Sequence, residues 1–405
     1  MFGRATLLSI SLWAVFAVVL RVAVIPPESC GSTGEAVIEN AAVGAAAWMK
    51  RNLGPDGRYT YIYNADTDTV PSAYNDVRHA GVTMALYQVA GRHRDGEALR
   101  AADAALGWME GHLVRQEGWA ALVGEGDRAK LGASALMLVG LAERRLATGD
   151  VRHDDLMREL GRFIVVLQRD DGGFHVAWLL SEGEPDREGT SIFYPGEALW
   201  ALALLHEALP GEGWDAAAGN AAAFITMLRD DLEDIPFPPL PDQWAAYGLA
   251  EMAEWGLDEG EIAYARRLAE RFGFLVRTEA QRQDSDLGTL VRGPRVRAAA
   301  LGTWVEALAA LWRLAASDER LADLKPKIEE RLRCAAGILA ARQVSPEAAA
   351  GYAQPDMVSG AWLRGGETRM DDQQHAFSGL LYALDALRAR VQREPDLPSP
   401  IEALP

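Results

Sequence analysis

The sequence predicts an all-α protein: six helical hairpins closed into a double ring, an (α/α)6 toroid. Three observations carry this. Twelve helical stretches alternate between a charged, amphipathic kind and a kind that is small and apolar nearly all round. A helix apolar on every face is buried on every face, so six buried helices alternating with six half-exposed ones describe concentric rings. The long loops precede the apolar helices and the short loops follow them, which gathers the long loops and all six inner-helix starts on one face. Finally, two of those starts, nearly three hundred residues apart, carry dense polar clusters, Tyr74–His79 and Arg369–His375. A closed ring brings such clusters to one cavity.

The elements follow in order. Residues 1–31 stand apart as a transmembrane anchor or signal segment. Arg4 precedes the apolar run Ala5–Leu20, then come Arg21, Val22–Ile25 and Pro26-Pro27. Read with its one interruption, the run of about 21 apolar residues is long enough for a single span. Read strictly, it also fits the core of a signal peptide. No small-x-small cleavage site follows, which favours an uncleaved anchor in the inner membrane. Arg4 on one side and Glu28 and Glu35 on the other place the body outside the cytoplasm, in the periplasm or on the cell surface. There Cys30 and Cys334 can pair or remain free thiols. Pro27-Glu28-Ser29 before Cys30 is a poor match to a lipidation signal.

Residues 32–392 form the ring. Glu35–Leu53 is helical and stops at Asn52-Leu-Gly-Pro-Asp-Gly; Arg58–Tyr63 alternates like a short strand; Tyr74–Ala90 is the first inner helix. Asp95–Leu113 and Lys130–Ala147 make the second pair, and Asp154–Leu167 and Tyr194–Leu209 the third. Asp215–Arg229 and Asp242–Trp255 follow across the Pro-rich loop Ile235–Pro241. Asp258–Val276 and Ala298–Ala315 flank the polar loop Arg277–Arg297, and Leu321–Arg342 and Asp371–Arg390 close the set. Short hairpin-like loops are expected on the face of the inner-helix starts. Residues 393–405 form a Pro-rich tail.

With 405 residues, 49% hydrophobic and 24% charged, the chain can bury a full core, and no Ser-, Pro- or Gly-rich linker interrupts it. A net charge of −18 argues against nucleic acid or an anionic membrane surface as the main partner, because no basic patch neutralises phosphates. Two cysteines exclude a disulfide scaffold and a Cys-based zinc site. No phosphate-cradling Gly loop, nucleophile elbow or metal-spaced His pair occurs, so neither a metal nor another cofactor is expected.

This alternation, over residues 34–390, resembles the six-hairpin toroids shared by many glycoside hydrolases, polysaccharide lyases and sugar epimerases, and by terpene cyclases and prenyltransferases. No single family within that group is singled out. The resemblance implies an active site at the inner-helix N-termini, where the polar clusters fall. Leu167-Gln-Arg-Asp-Asp-Gly-Gly-Phe174 also resembles a turn of terpene cyclases, but their Asp-x-Asp-Asp run is absent; Arg369-Met-Asp-Asp372 begins with Arg instead. Zinc-dependent relatives use Cys and His, and Cys334 falls on an outer helix away from the site face.

The clusters supply the candidates. Asp76 is a candidate general base and His79 an acid, base or ligand; Arg78 can clamp a carboxylate or hydroxyl pair; Tyr74 and Asn75 adjoin them. In the last helix Asp371 is the first-turn acid and His375 lies one turn on, on the same face, with Arg369, Asp372 and Gln374 beside them. Helix capping and a buried hydrogen-bond network are the plain alternatives. Tyr194 and Glu197 open the third inner helix; Asp242 and Trp244 open the fourth, as a cap-like acid and a ring to stack on sugar. Lys130 stands at a helix start, where cations are disfavoured, and suits an anionic substrate. Glu306 lies deeper in the fifth helix. Trp119, Phe174, Trp178, Phe193 and Trp362 can floor a cleft or pack the core.

Two carboxylates from different helices, Asp76 and Asp371, would form the pair that glycosidic cleavage requires. The leading expectation is therefore hydrolysis of a polysaccharide. A lyase or uronyl epimerase with His79 or His375 as proton carrier comes next. A noncatalytic sugar-binding or scaffold subunit of an envelope polysaccharide machine and a terpenoid-cyclase relative remain.

Overall fold

A computed structural model describes residues 3–21, 26–283 and 285–391. Helix α1 (Arg4–Val19) precedes the body; among the described residues no helix is long and apolar enough to cross a membrane. Its apolar side chains, Leu8, Leu12 and Trp13 among them, stand exposed. Residues 22–25, on which the expected span depends, and the tail 393–405 lie outside the described residues.

The body opens with α2 (Glu35–Arg51), α3 (Asp76–His93), α4 (Gly96–Glu110), α5 (Leu131–Thr148), α6 (Asp154–Leu167) and α7 (Tyr194–Ala208). It continues with α8 (Trp214–Ala223), a π-helical turn Phe224–Leu228, α9 (Arg229–Leu232), α10 (Gln243–Glu251), α11 (Glu259–Ala280) and α12 (Asp286–Arg292). The remainder is α13 (Ala298–Ser317), α14 (Lys325–Ala341), the one-turn α15 (Pro346–Ala349) and α16 (Pro355–Val358), and α17 (Met370–Val391).

Helices α3, α5, α7, α10, α13 and α17 pack each against the next, and α17 returns to α3, so the inner ring closes. Their residues are buried almost without interruption; Ala198 through Leu205 in α7 is one such run. Helices α2, α4, α6, α8, α11 and α14 pack outside them. Close approach in the inner ring rests on small residues: a Cβ on Gly302 of α13 would overlap the backbone of His375 and Ala376 in α17, which is how these two inner helices come into near contact. The fourth hairpin departs from expectation, since its outer member breaks at the π turn and its inner member ends at Glu251 before a 3-10 turn.

Short strands occupy the loops ahead of the inner helices. The first strand falls at Ile62–Asn64, later than its alternating pattern suggests, and pairs antiparallel with Glu367–Arg369, Tyr63 opposite Thr368. This ladder ties the first hairpin to the last. Leu113–Gln116 pairs with Trp119–Leu122, and Arg128–Lys130 with Ala177–Leu179.

Cys30 and Cys334 form a disulfide across 304 residues, fastening the segment before α2 to α14. Closing so long a loop removes much unfolded-state entropy. A Cys30→Ser, Cys334→Ser protein is expected to lose about 2–5 kcal/mol in urea denaturation; equal midpoints would show that the bond contributes nothing.

Candidate active site

The starts of α3, α7, α10, α13 and α17 surround a cavity of about 320 Å³, walled by Arg78, Phe193, Trp244, Arg297, Asp371 and His375. The ladder between the first and last hairpins runs directly into α17, which supplies Asp371 and His375 to the cavity. Beyond the strand, the Met370 N–H donates to the Tyr61 carbonyl (3.0 Å), which fixes where α17 begins. Asp371 accepts from Arg297 Nη2 (2.9 Å) and Arg369 Nε (3.3 Å). Burial raises the Asp371 pKa, but the charges of Arg78, Arg297, Arg369 and His375 outweigh it and hold the carboxyl below its ordinary range. Asp372 accepts from Arg297 Nη2 (2.9 Å) and from the Ala299 N–H at the start of α13 (2.8 Å), so it joins two inner helices.

One turn into α17, His375 Nδ1 lies 2.9 Å from Glu306 Oε2 on α13. With the carboxylate accepting, Nδ1 carries the hydrogen and Nε2 is the basic nitrogen, an assignment drawn from the network. Among the described residues, Nε2 has no hydrogen-bond partner. Glu306 is fully buried, and burial raises its pKa against the opposing pull of His375. The Trp244 ring lies 5.5 Å from that of His375.

Arg78 makes no hydrogen bond or ion pair through its guanidinium among the described residues. Its charge nonetheless acts on Asp371, Glu197, Glu306 and Tyr194. Glu197, in the first turn of α7, is buried, and burial lifts its pKa to about 8, with Arg78 opposing and Asp242 adding. Its Oε2 has no hydrogen-bond partner among the described residues. That carboxylate and the Tyr194 ring lie against Gly132 of α5, where a Cβ would overlap both.

A carboxyl whose pKa is raised on folding from 4.5 to about 8 favours the folded state in its neutral form. That stability is complete below pH 4.5, falls as pH rises, and levels off above pH 8. The loss is on the order of several kcal/mol. Glu197→Gln is therefore expected to match the parent near pH 5 and to exceed it in urea midpoint at pH 9; a constant difference across that range would contradict the assignment.

Other expected site residues are placed differently. His79 is fully buried between α3 and α4: Nε2 donates to the Ala105 carbonyl (3.0 Å), Nδ1 accepts from the Tyr74 hydroxyl (2.6 Å), and Trp108 stacks on it. Burial lowers its pKa to about 4. The expectation that His79 carries protons to substrate is corrected, since both nitrogens are occupied and the ring is neutral. Successive helical residues are turned by about 100°, so Arg78 faces inward while His79 faces the outer ring.

Asn75 caps α3 by accepting from the Arg78 N–H (3.1 Å). Asp76 does not reach the central cavity; its Oδ1 accepts from Lys130 Nζ (2.6 Å), and both line a separate pocket of about 110 Å³. Asp76 and Asp371 thus line different cavities, each carboxylate already paired with a cation, Lys130 in one case and Arg297 in the other. The Lys130 amine does not stand alone at its helix start but is paired with Asp76.

Asp242 is also corrected. It caps α10 by accepting from the Trp244 and Ala245 N–H groups and pairs with Arg229 (2.6 Å), with neither side chain exposed. Arg369 donates to the Tyr61 hydroxyl (3.1 Å), and Gln374 lies buried against Gly81 with its amide nitrogen unpartnered among the described residues. Of the loop aromatics, Trp119, Phe174 and Trp362 are core, while Phe193 reaches the cavity. Arg297 was not foreseen. The feature that singled out Lys130, a cation just ahead of an inner helix, applies to it equally.

No protein-family model and no curated protein sequence matches the chain. Solved structures do. A cellobiose 2-epimerase from Spirochaeta thermophila superposes with TM-score 0.63 at 16% identity, covering 87% of this chain and 98% of that one. A family 76 glycoside hydrolase from a bovine Bacteroides thetaiotaomicron strain gives 0.60 at 13%, covering 87% and 78%. An unsaturated glucuronyl hydrolase specific for heparin gives 0.58 at 12%, covering 88% and 99%.

The chain has the (α/α)6 toroid fold. At such identities the likeness speaks for the fold alone.

Proposed function

We propose that this toroid is a carbohydrate-active enzyme whose reaction turns on proton transfer at His375. The observation that carries this is the Glu306–His375 pair, with its second ring nitrogen unpartnered, on a cavity shared with Arg78 and Asp371. Glu306 holds the imidazole in one tautomer and stabilises the imidazolium when Nε2 takes a proton. Arg78 meets the oxygen of a sugar carbonyl or carboxylate and stabilises the charge that develops when the neighbouring carbon is deprotonated. Trp244 and Phe193 offer apolar walls to the sugar ring. Epimerisation, isomerisation and lyase elimination share this first step. That the fold neighbours are by name a cellobiose epimerase, a glycoside hydrolase and a glucuronyl hydrolase supports a sugar as substrate.

A second reading has its own support. Asp371 is held ionised and Glu197 is held protonated at neutral pH, and carboxyls driven apart in this way are the marks of a hydrolytic base and acid.

Incubation in D2O with neutral and uronic-acid sugars and polysaccharides separates the two. Deuterium entering beside a carbonyl or carboxyl, seen by NMR, supports proton transfer at carbon. An unsaturated uronyl end marks lyase elimination, which begins at the same carbon but leaves no deuterium there; new reducing ends with neither deuterium nor unsaturation support hydrolysis, and if none of these appears the remaining reading is a sugar-binding subunit of an envelope polysaccharide system.

The proposed setting is extracytoplasmic, with the apolar segment around α1 as anchor. The Cys30–Cys334 disulfide supports it, since such bonds persist in oxidising compartments. Alkylation of the two cysteines in intact cells, before and after reduction, tests it.

A further inference from the structure

Two residues apart on the first turn of α3, Arg78 and Asp76 line different cavities. The helix start is therefore a divide, with the central cavity on one side and the 110 Å³ pocket on the other. This second pocket is no packing defect. Its walls hold Arg58, Tyr74, Asp76, Trp108, His112 and Lys130, and the rings among them are stacked and fixed. His112 lies on Trp108 with centroids 4.0 Å apart, and Trp108 lies in turn on His79 at 4.3 Å. Tyr74 meets Trp108 edge-on and carries the Arg58 guanidinium over its own face at 4.1 Å.

The polar groups are equally set. His112 Nδ1 donates to the Trp108 carbonyl (2.7 Å), so Nε2 is left as an acceptor, without a partner among the described residues. Lys130 and Asp76 hold each other at 2.6 Å, and each retains hydrogen-bonding capacity beyond that contact. The Lys130 charge is matched by Asp76, and the pocket's other two charged residues, Glu125 and Arg58, are of opposite sign. A rigid aromatic wall with a balanced set of donors and acceptors suits a polar, uncharged ring with many hydroxyls.

We infer that this pocket is a second subsite, for a neutral sugar unit, and that the substrate is an oligosaccharide or polymer lying across the start of α3. The inference rests on the central cavity taking a sugar, as proposed above. It goes further by requiring at least two linked units and by naming Arg58 and His112 as residues that determine chain-length preference.

The test is calorimetric titration of the His375→Asn protein, in which turnover plays no part. The probes are glucose, cellobiose and cellotriose; mannose, mannobiose and mannotriose; and heparin-derived di- and tetrasaccharides. Affinity is expected to tighten at least tenfold with length in a neutral series. Arg58→Ala and His112→Ala, each checked for an unchanged melting transition, are expected to remove most of that gain and leave the single unit's affinity unaltered. Affinity that does not rise with length in any series, a rise confined to the heparin series, or a gain that survives both substitutions would overturn the subsite. Absence of turnover by the parent protein counts against the catalytic reading instead, and these titrations still decide the subsite.

Discussion

His375→Asn is expected to lower kcat by about 10²–10⁴-fold on whichever sugar the protein turns over, the range for removing a positioned acid–base group. Asparagine keeps a polar group within reach of Glu306, so the fold should persist with a far-ultraviolet spectrum like the parent's. Glu306→Gln leaves the imidazole in place but removes the carboxylate that holds its tautomer. Its expected signature is a displaced pH–rate profile as well as a reduced rate, which a merely structural contact would not produce. Arg78→Lys retains the charge and loses the planar fork, and is expected to weaken both KM and kcat. Turnover of His375→Asn within threefold of the parent would remove the imidazole from the reaction.

The largest effect on stability is expected at Arg229. Its guanidinium and the Asp242 carboxylate are both fully buried, and the second nitrogen donates to the Tyr264 hydroxyl (2.9 Å). Breaking such a pair strands a charge away from water, which costs about 3–5 kcal/mol. Arg229→Met is expected to lower stability in urea by that amount. The double variant with Asp242→Asn is expected to recover most of it, since the amide oxygen still caps α10 and no charge is left behind. A double variant as unstable as the single would show that the loss comes from packing around Arg229 and not from the stranded carboxylate.

These residues also mark where the sequence can be read and where it cannot. The ring was legible because α3, α5, α7 and α13 are apolar on all sides, a pattern that neither surface helices nor strands produce. The convergence of the chain's ends on one cavity followed from ring closure. Side-chain direction within each cluster did not. Arg78 and His79 are neighbours in sequence, yet one turns to the cavity and the other to α4, because the phase of α3 is set by tertiary packing. Asp76 and Asp242 read as candidate acids; their partners Lys130 and Arg229 sit 54 and 13 residues away, at separations no local pattern encodes. Glu306 gave only a faint signal as a lone acid in an apolar helix, and its importance appears only once His375 is beside it.

The two-stranded ladder that joins Ile62–Asn64 to Glu367–Arg369 has a consequence for the timing of activity. A nascent chain still short of residue 369 has every other inner helix but lacks Asp371, His375 and the strand that shuts the ring. On the proposed reading, no partly made chain can carry out proton transfer at His375: the site is incomplete until the last helix is made and docked.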